Sequence, residues 1–225
     1  MNLMSTCSIH SLIESLEPPA VFVVDSDASS RETLDSLIRD AGYQPRMAAS
    51  AEEFLTHPHV VAPGCLLVEL HLPGLNGLEL QRLVLDRTEM PIIFMSRHAD
   101  VQATVRAMKG GAFEFLTKPF VRPVLLDAIG SAIERSHAAI RHLEQVHALQ
   151  RRYESLSRRE REVMSLVVNG RLNKQVGGEL GISEITVKAH RGKMMRKMKA
   201  DSFAQLVTMA VSLRNVDQYD RVMVS

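Results

Sequence analysis

Residues 20–27 read AVFVVDSD, a short apolar and β-branched run closed by acids. A run of this kind predicts a buried strand with polar groups at its carboxyl end. Working outward, Thr33, Leu34, Leu37 and Ile38 recur at helical spacing, and Ala41-Gly42 ends the pattern as a helix stop does. The alternation then repeats, with helices near 51–55, 78–85 and 101–108 and strands over 65–70, 92–95 and 113–116. Strands alternating with helices predict an α/β fold, a doubly wound five-stranded parallel sheet with right-handed crossovers. Open sheets of this type carry their reactive groups at the carboxyl ends of the strands, where Asp25, Ser26, Asp27, Glu69, Ser96 and Lys118 all fall.

The 225 residues suffice for two modest domains, and 45% hydrophobic with 24% charged residues argues against disorder. No apolar run reaches membrane-spanning length, and residues 1–17 carry two acids and no Lys or Arg, unlike a secretory signal; a cytoplasmic location is expected. Cys7 and Cys65 provide neither a disulfide framework nor zinc-ligand spacing. Charge is divided along the chain. Residues 1–120 hold nine Lys/Arg against fifteen Asp/Glu, and residues 157–225 hold thirteen against seven. An acidic front and a basic back point to a polyanion, nucleic acid, as partner of the back half alone.

From Pro123 to Tyr153 the chain reads as one long amphipathic helix, with Leu126, Ile129, Ile133, Ile140 and Leu143 at three- and four-residue steps. It serves either as a stiff linker or as a dimer seam, Ser136 and His147 sharing its stripe. Shorter helices follow. Ser157 with Glu160 forms a capping-box pattern ahead of Val163, Leu166 and Val167; Asn173 is placed to cap a second helix closed by Gly181, and Ser183 a third running over 183–199. Two helices joined by a short turn at Gly181 have the helix-turn-helix layout. Gly177-Gly178 inside the second helix costs roughly 1 kcal/mol each relative to alanine, so that helix is expected to be marginal.

VVDSD, LVELHLPGLNGLEL, PIIFMSRHADV and GGAFEFLTKPF in the front half, and LSRREREVMSLVVNG, NKQVGGELGIS and TVKAHRGKMMRKM in the back half, occur in the order and spacing of one family. The chain resembles NarL/FixJ (LuxR-type) response regulators over nearly its whole length after residue 18. The resemblance implies an N-terminal extension (1–18), a receiver-like domain (19–122), a linker helix (123–153) and a LuxR-type helix-turn-helix domain (154–225). It also implies a regulator rather than an enzyme, double-stranded DNA as partner, a homodimer, and a sensor histidine kinase or other regulatory protein upstream. An autoinducer sensor sharing the DNA module is disfavoured by the receiver-like front half.

In that family an aspartate ending the third strand takes the phosphoryl group, acids after the first strand hold Mg²⁺, and a hydroxyl and a lysine sense the product. Here Glu69 stands at the acceptor position and Ser26 replaces one metal acid, leaving Asp25 and a displaced Asp27. Ser96, Phe115 and Lys118 match the switch hydroxyl, the switch aromatic and the lysine, and Arg97 follows the hydroxyl where a small residue is usual. Glutamate carries its carboxylate outward by one methylene, which spoils attack geometry. A missing carboxylate weakens a site for Mg²⁺, which tolerates little distortion. Both changes disfavour phosphoryl transfer, so Mg²⁺ binding is expected to be weak or absent. Three readings stay open: Glu69 as a relic, Glu69 as a fixed charge facing Lys118 and Ser96 with Arg97 beside it, and residual phospho-switching. His71 reads as an inert loop histidine. A module that sequesters a kinase or a sister regulator is the alternative from another class.

For DNA, the third short helix carries Lys188, Arg191, Lys193, Arg196, Lys197 and Lys199, with Val187, Met194 and Met198 marking its buried face. Thr186, Lys188 and Arg191 are expected at base edges in the major groove; Lys174, Lys193 and Lys197 are expected at phosphates. His190 reads as a packed residue.

Overall fold

The computed structural model describes residues 18–59, 61–97 and 101–223, with residues 214–223 as backbone alone. The extension read over 1–18 therefore lies, Pro18 apart, outside the described residues. The chain divides into two compact units, Met1–Arg141 and His142–Ser225.

In the first unit five strands form a parallel sheet in the order β2-β1-β3-β4-β5. They are β1 (Ala20–Val24), β2 (Gln44–Ala48), β3 (Gly64–Glu69), β4 (Ile92–Ser96) and β5 (Glu114–Thr117). Helices α1 (Ala28–Asp40), α2 (Ala51–Thr56), α3 (Gly77–Leu83) and α4 (Val101–Lys109) lie between successive strands in sequence. Strand β3 is central and buried along its whole length, which is why it reads as an unbroken apolar run. Side chains alternate across the sheet into two cores. Val21, Val23, Cys65, Leu67, Ile93 and Met95 meet Leu34, Ile38, Leu125 and Ile129 on one face. Val24, Leu66, Val68 and Phe94 meet Phe54, Leu80, Ala103 and Ala107 on the other. Burial of each such Leu, Ile or Phe stabilises by about 1.5–3 kcal/mol. Register aligns the carboxyl ends, with Val24 beside Val68, Glu69 beside Met95 and Ser96 beside Thr117.

Strand β2 is the one to which the sequence reading assigned no residues. Its segment, QPRMA, has no apolar run, and Pro45 removes a backbone donor; both are tolerated because the strand lies at the sheet edge.

Helix α5 (Arg122–Glu154) differs from the reading of a plain linker. Its first half belongs to the sheet's core: Leu125, Ala128, Ile129, Ala132, Ile133 and Ser136 are buried. Ser136 Oγ accepts from Gly64 N at 3.1 Å and donates to the Glu89 carbonyl. A fully buried Ser136 cannot contribute to a dimer seam. The second half leaves the sheet, and Leu149 and Tyr153 pack against the core of the second unit.

That second unit comprises α6 (Arg158–Val168), α7 (Asn173–Leu180), α8 (Glu184–Met198) and α9 (Phe203–Met223) around Leu156, Val163, Met164, Val167, Val176, Val187, Met194, Met198 and Leu206. The Ser157/Glu160 capping box is present, and Ser183 Oγ caps α8 by accepting from Thr186 N at 3.1 Å. Asn173 is not the cap of α7 but lies within it, after Leu172. Gly181 takes the left-handed conformation, φ 66°, that closes α7 and opens the turn.

The two glycines of α7 are not equivalent. A Cβ on Gly177 would come within 2.7 Å of the Ile182 carbonyl oxygen, so the turn requires glycine there; a Cβ on Gly178 would meet nothing within 4 Å. Only Gly178 is the propensity cost read from the sequence. Gly178→Ala is expected to raise unfolding stability by roughly 0.5–1 kcal/mol and Gly177→Ala to lower it, measured by denaturant titration of the full chain. Equal effects of the two substitutions would contradict this account.

Candidate functional site

The carboxyl edge of the sheet gathers one ionic network. Lys118, after β5, donates from Nζ to Asp25 Oδ2 at 2.6 Å and to Glu69 Oε2 at 2.6 Å, with Ser30 Oγ at 3.3 Å. Ser30 Oγ donates to the same Asp25 oxygen at 2.7 Å, Asp27 N donates to Asp25 Oδ1 at 2.9 Å, and Arg31 donates to the Asp25 carbonyl at 2.6 Å. Burial alone would raise the Asp25 carboxyl; the hydrogen bonds from Lys118, Ser30 and Asp27 N outweigh it and hold the group below its usual value. Asp27 is likewise held low: the backbone N–H of Ser30 is the largest cause, and with Arg97 and the backbone N–H of Ser29 it outweighs desolvation, which acts to raise the group. It caps α1 and pairs with Arg97.

Asp25, Ser26, Asp27, Glu69, His71 and Arg97 line the open cleft above this network. Ser96 is fully buried at the end of β4, and Phe115 is half-buried with its ring stacked on Phe94 at 6.3 Å between centroids. The sequence-selected residues thus do converge, but Arg97 pairs with Asp27 rather than joining Glu69 and Lys118. Ser30 and Arg31 were missed; their only signal was a place in the first turn of α1, one helical turn from the acids.

A divalent cation is poorly provided for. Both Asp25 oxygens already accept from protein donors, a lysine ammonium lies between Asp25 and Glu69, and Ser26 offers a neutral hydroxyl. Among the described residues no group of three or more His, Cys, Asp or Glu is placed to hold a metal ion.

On the helix-turn-helix, Lys174, Lys188 and Lys193 are exposed and Thr186 is half-buried beside Ser183. Lys188 pairs with Glu184, at 3.2 Å on the helix surface. Two of the residues expected at DNA also make contacts inside the domain. Arg191 donates to Asn173 Oδ1 at 2.7 Å and lies over the Phe203 ring at 5.4 Å, so it ties α7, α8 and α9 together. Lys197 donates to the buried Glu160 Oε2 at 2.6 Å and to the Ser155 carbonyl at 3.0 Å. His190 is half-buried, its Nδ1 fully enclosed without a hydrogen-bond partner.

Desolvation acts to raise Glu160, but the Lys197 and Ser157 hydrogen bonds outweigh it and lower its pKa from 4.5. A lowered carboxyl stabilises the fold above its unfolded value and loses that contribution as pH falls through the folded value. Lys197→Ala is therefore expected to destabilise the second unit by about 1 kcal/mol near neutral pH, a modest figure because the ammonium is partly solvated. The difference from wild type should shrink as pH falls below 4.5, where Glu160 protonates, as read by thermal melts.

A doubly wound receiver-type sheet bearing acids, a hydroxyl and a lysine at one edge, on one chain with a helix-turn-helix unit, defines a response-regulator transcription factor. Residues 21–130 match the response regulator receiver domain family, and residues 154–210 match the bacterial regulatory proteins of the luxR family. Nodulation protein W of Bradyrhizobium diazoefficiens is 45% identical over 194 residues, 86% of each chain. The transcriptional regulatory protein FixJ of Rhizobium meliloti is 38% identical over 193 residues, 85% of this chain and 95% of its own. The structure of response regulator StyR superposes with a TM-score of 0.74 at 42% identity, covering 86% of this chain and 98% of that one. Full-length FixJ from B. japonicum gives 0.53 at 35%, covering 88% and 98%. The chain belongs to the FixJ/NarL family of response regulators. The luxR-type domain implies DNA binding and the receiver domain implies a sensor kinase partner.

Proposed function

We propose that this regulator controls transcription without ordinary aspartyl phosphorylation. The observation that carries the reading is Lys118 bridging Asp25 and Glu69 at 2.6 Å each. In a phosphorylatable receiver a free carboxylate would attack, a metal would neutralise charge, and the lysine would hold the transferred group. Here the lysine's charge is already met by two carboxylates whose side chains are 2% and 11% exposed. Glu69 thus supplies, as a fixed charge, part of what a phosphoryl group would present to Lys118. One carboxylate offers about one negative charge against nearly two on phosphate, so the bias toward an active arrangement is partial. Mg²⁺ binding is correspondingly weak.

The basic unit then reads DNA in the untreated protein, in the cytoplasm and as a homodimer, since one helix-turn-helix spans too few base pairs and two-fold pairing doubles the site. Incubation with acetyl phosphate and Mg²⁺ is expected to leave intact mass, DNA affinity and the two-chain stoichiometry on DNA unchanged. Covalent phosphate on Glu69, Asp25 or Asp27 would overturn the reading.

A further inference from the structure

Helix α8 carries a feature that its charge does not account for. Val187, Met194 and Met198 face the core, and the opposite face, at steps of four, three and four residues, consists of Ile185, Ala189, Gly192 and Arg196. Ile185 is 80% exposed, the largest exposure among the exposed large hydrophobic residues described, and it lies in the first turn of the helix, second after the Ser183 cap. A single exposed apolar side chain elsewhere on a surface would call for no explanation. This one stands in line with two small residues, flanked by the exposed cations Lys188 and Lys193. In a helix-turn-helix the amino-terminal part of the second helix enters the major groove. Small side chains at 189 and 192 let that backbone approach the base edges, with Lys188 beside it at a base edge and Lys193 at a phosphate.

The apolar group that the major groove offers is the C5-methyl of thymine. We propose that Ile185 is a specificity-determining residue that reads a thymine methyl in each half-site of the DNA target. The proposal rests on the DNA-binding reading and adds to it a base class and a residue. Polar readout by Lys188 and phosphate contacts would hold the helix in place without selecting this position; Ile185 selects it by excluding water from the methyl.

The test uses the full chain and a duplex selected by it from a random library. Each thymine is replaced singly by deoxyuridine, which removes one methyl and leaves pairing and phosphates intact. At one thymine per half-site the wild-type affinity is expected to fall about four-fold, the worth of one buried methylene-sized group. In Ile185→Ala, whose fold is undisturbed because the side chain is exposed, that fall should disappear while binding and its salt dependence persist. Wild-type indifference to deoxyuridine at every thymine, or undiminished sensitivity in Ile185→Ala, would overturn the proposal while leaving DNA binding intact. Failure to select any duplex would remove the DNA-binding reading and this inference with it.

Discussion

The double substitution Glu69→Asp with Ser26→Asp is expected to accept phosphate from acetyl phosphate at least about 10²-fold faster than the wild-type protein, the scale on which an ångström of misplacement acts. The expectation follows from the network at the sheet edge. Shortening Glu69 withdraws its carboxylate from Lys118, now 2.6 Å away, toward the strand end, and the second aspartate restores an acid to the exposed lip of the cleft beside Asp25. Each change alone falls short. Glu69→Asp leaves a metal site with one acid too few, and Ser26→Asp leaves the acceptor one methylene too long. Intact-mass spectrometry of the four proteins decides the matter: a reactive Glu69→Asp single variant would show that Ser26 is no obstacle. Glu69→Gln asks a different question, because it keeps size and removes charge. If Glu69 biases the receiver toward output, this variant dimerises or binds DNA several-fold more weakly; wild-type behaviour would reduce Glu69 to a residue without regulatory effect.

The parts of this molecule that the sequence reveals are those written in local period and local chemistry. The buried strands β1, β3 and β4 are continuous apolar runs, and their carboxyl ends, together with that of β5, bring Asp25, Glu69, Ser96 and Lys118 together whatever the loops do. The caps at Ser157 and Ser183 are equally local. What stayed illegible depends on a partner far along the chain. An apolar stripe on a helix shows that something covers it, not what, so the first half of α5 passed for a linker although it lies in the sheet's core. A lysine on a surface helix looks the same whether it faces a phosphate or, like Lys197, a buried glutamate 37 residues earlier. Asn173 showed its value as a capping residue and hid its role as the acceptor for Arg191. Gly177 looked like a weak point until the Ile182 carbonyl appeared beside it.

Affinity of the full chain for its duplex is expected to fall about 10³-fold between 50 and 200 mM salt, and two substitutions in α8 should part company in how they lower it. Lys174, Lys188 and Lys193 are exposed on each helix-turn-helix. In the proposed homodimer these lysines, about six in two copies and each displacing about one counterion, give a log–log slope near −5, which over a four-fold change in salt is that loss. Among the described residues Lys188 is held by an exposed pair with Glu184, an interaction too weak and screened to matter for stability. Lys188→Ala should therefore weaken DNA binding at least ten-fold with an unchanged melting temperature. Arg191 is bound differently. Its removal frees the Asn173 amide oxygen, uncovers the Phe203 ring and loosens the join between α7, α8 and α9, so Arg191→Ala should lower stability by about 1–2 kcal/mol and weaken binding through the misplaced helix. Its salt slope is expected to stay at the wild-type value, because the guanidinium is engaged by Asn173 and the Phe203 ring. A slope lowered by about one per chain in Arg191→Ala, with stability intact, would instead return Arg191 to the DNA surface where the sequence reading had placed it.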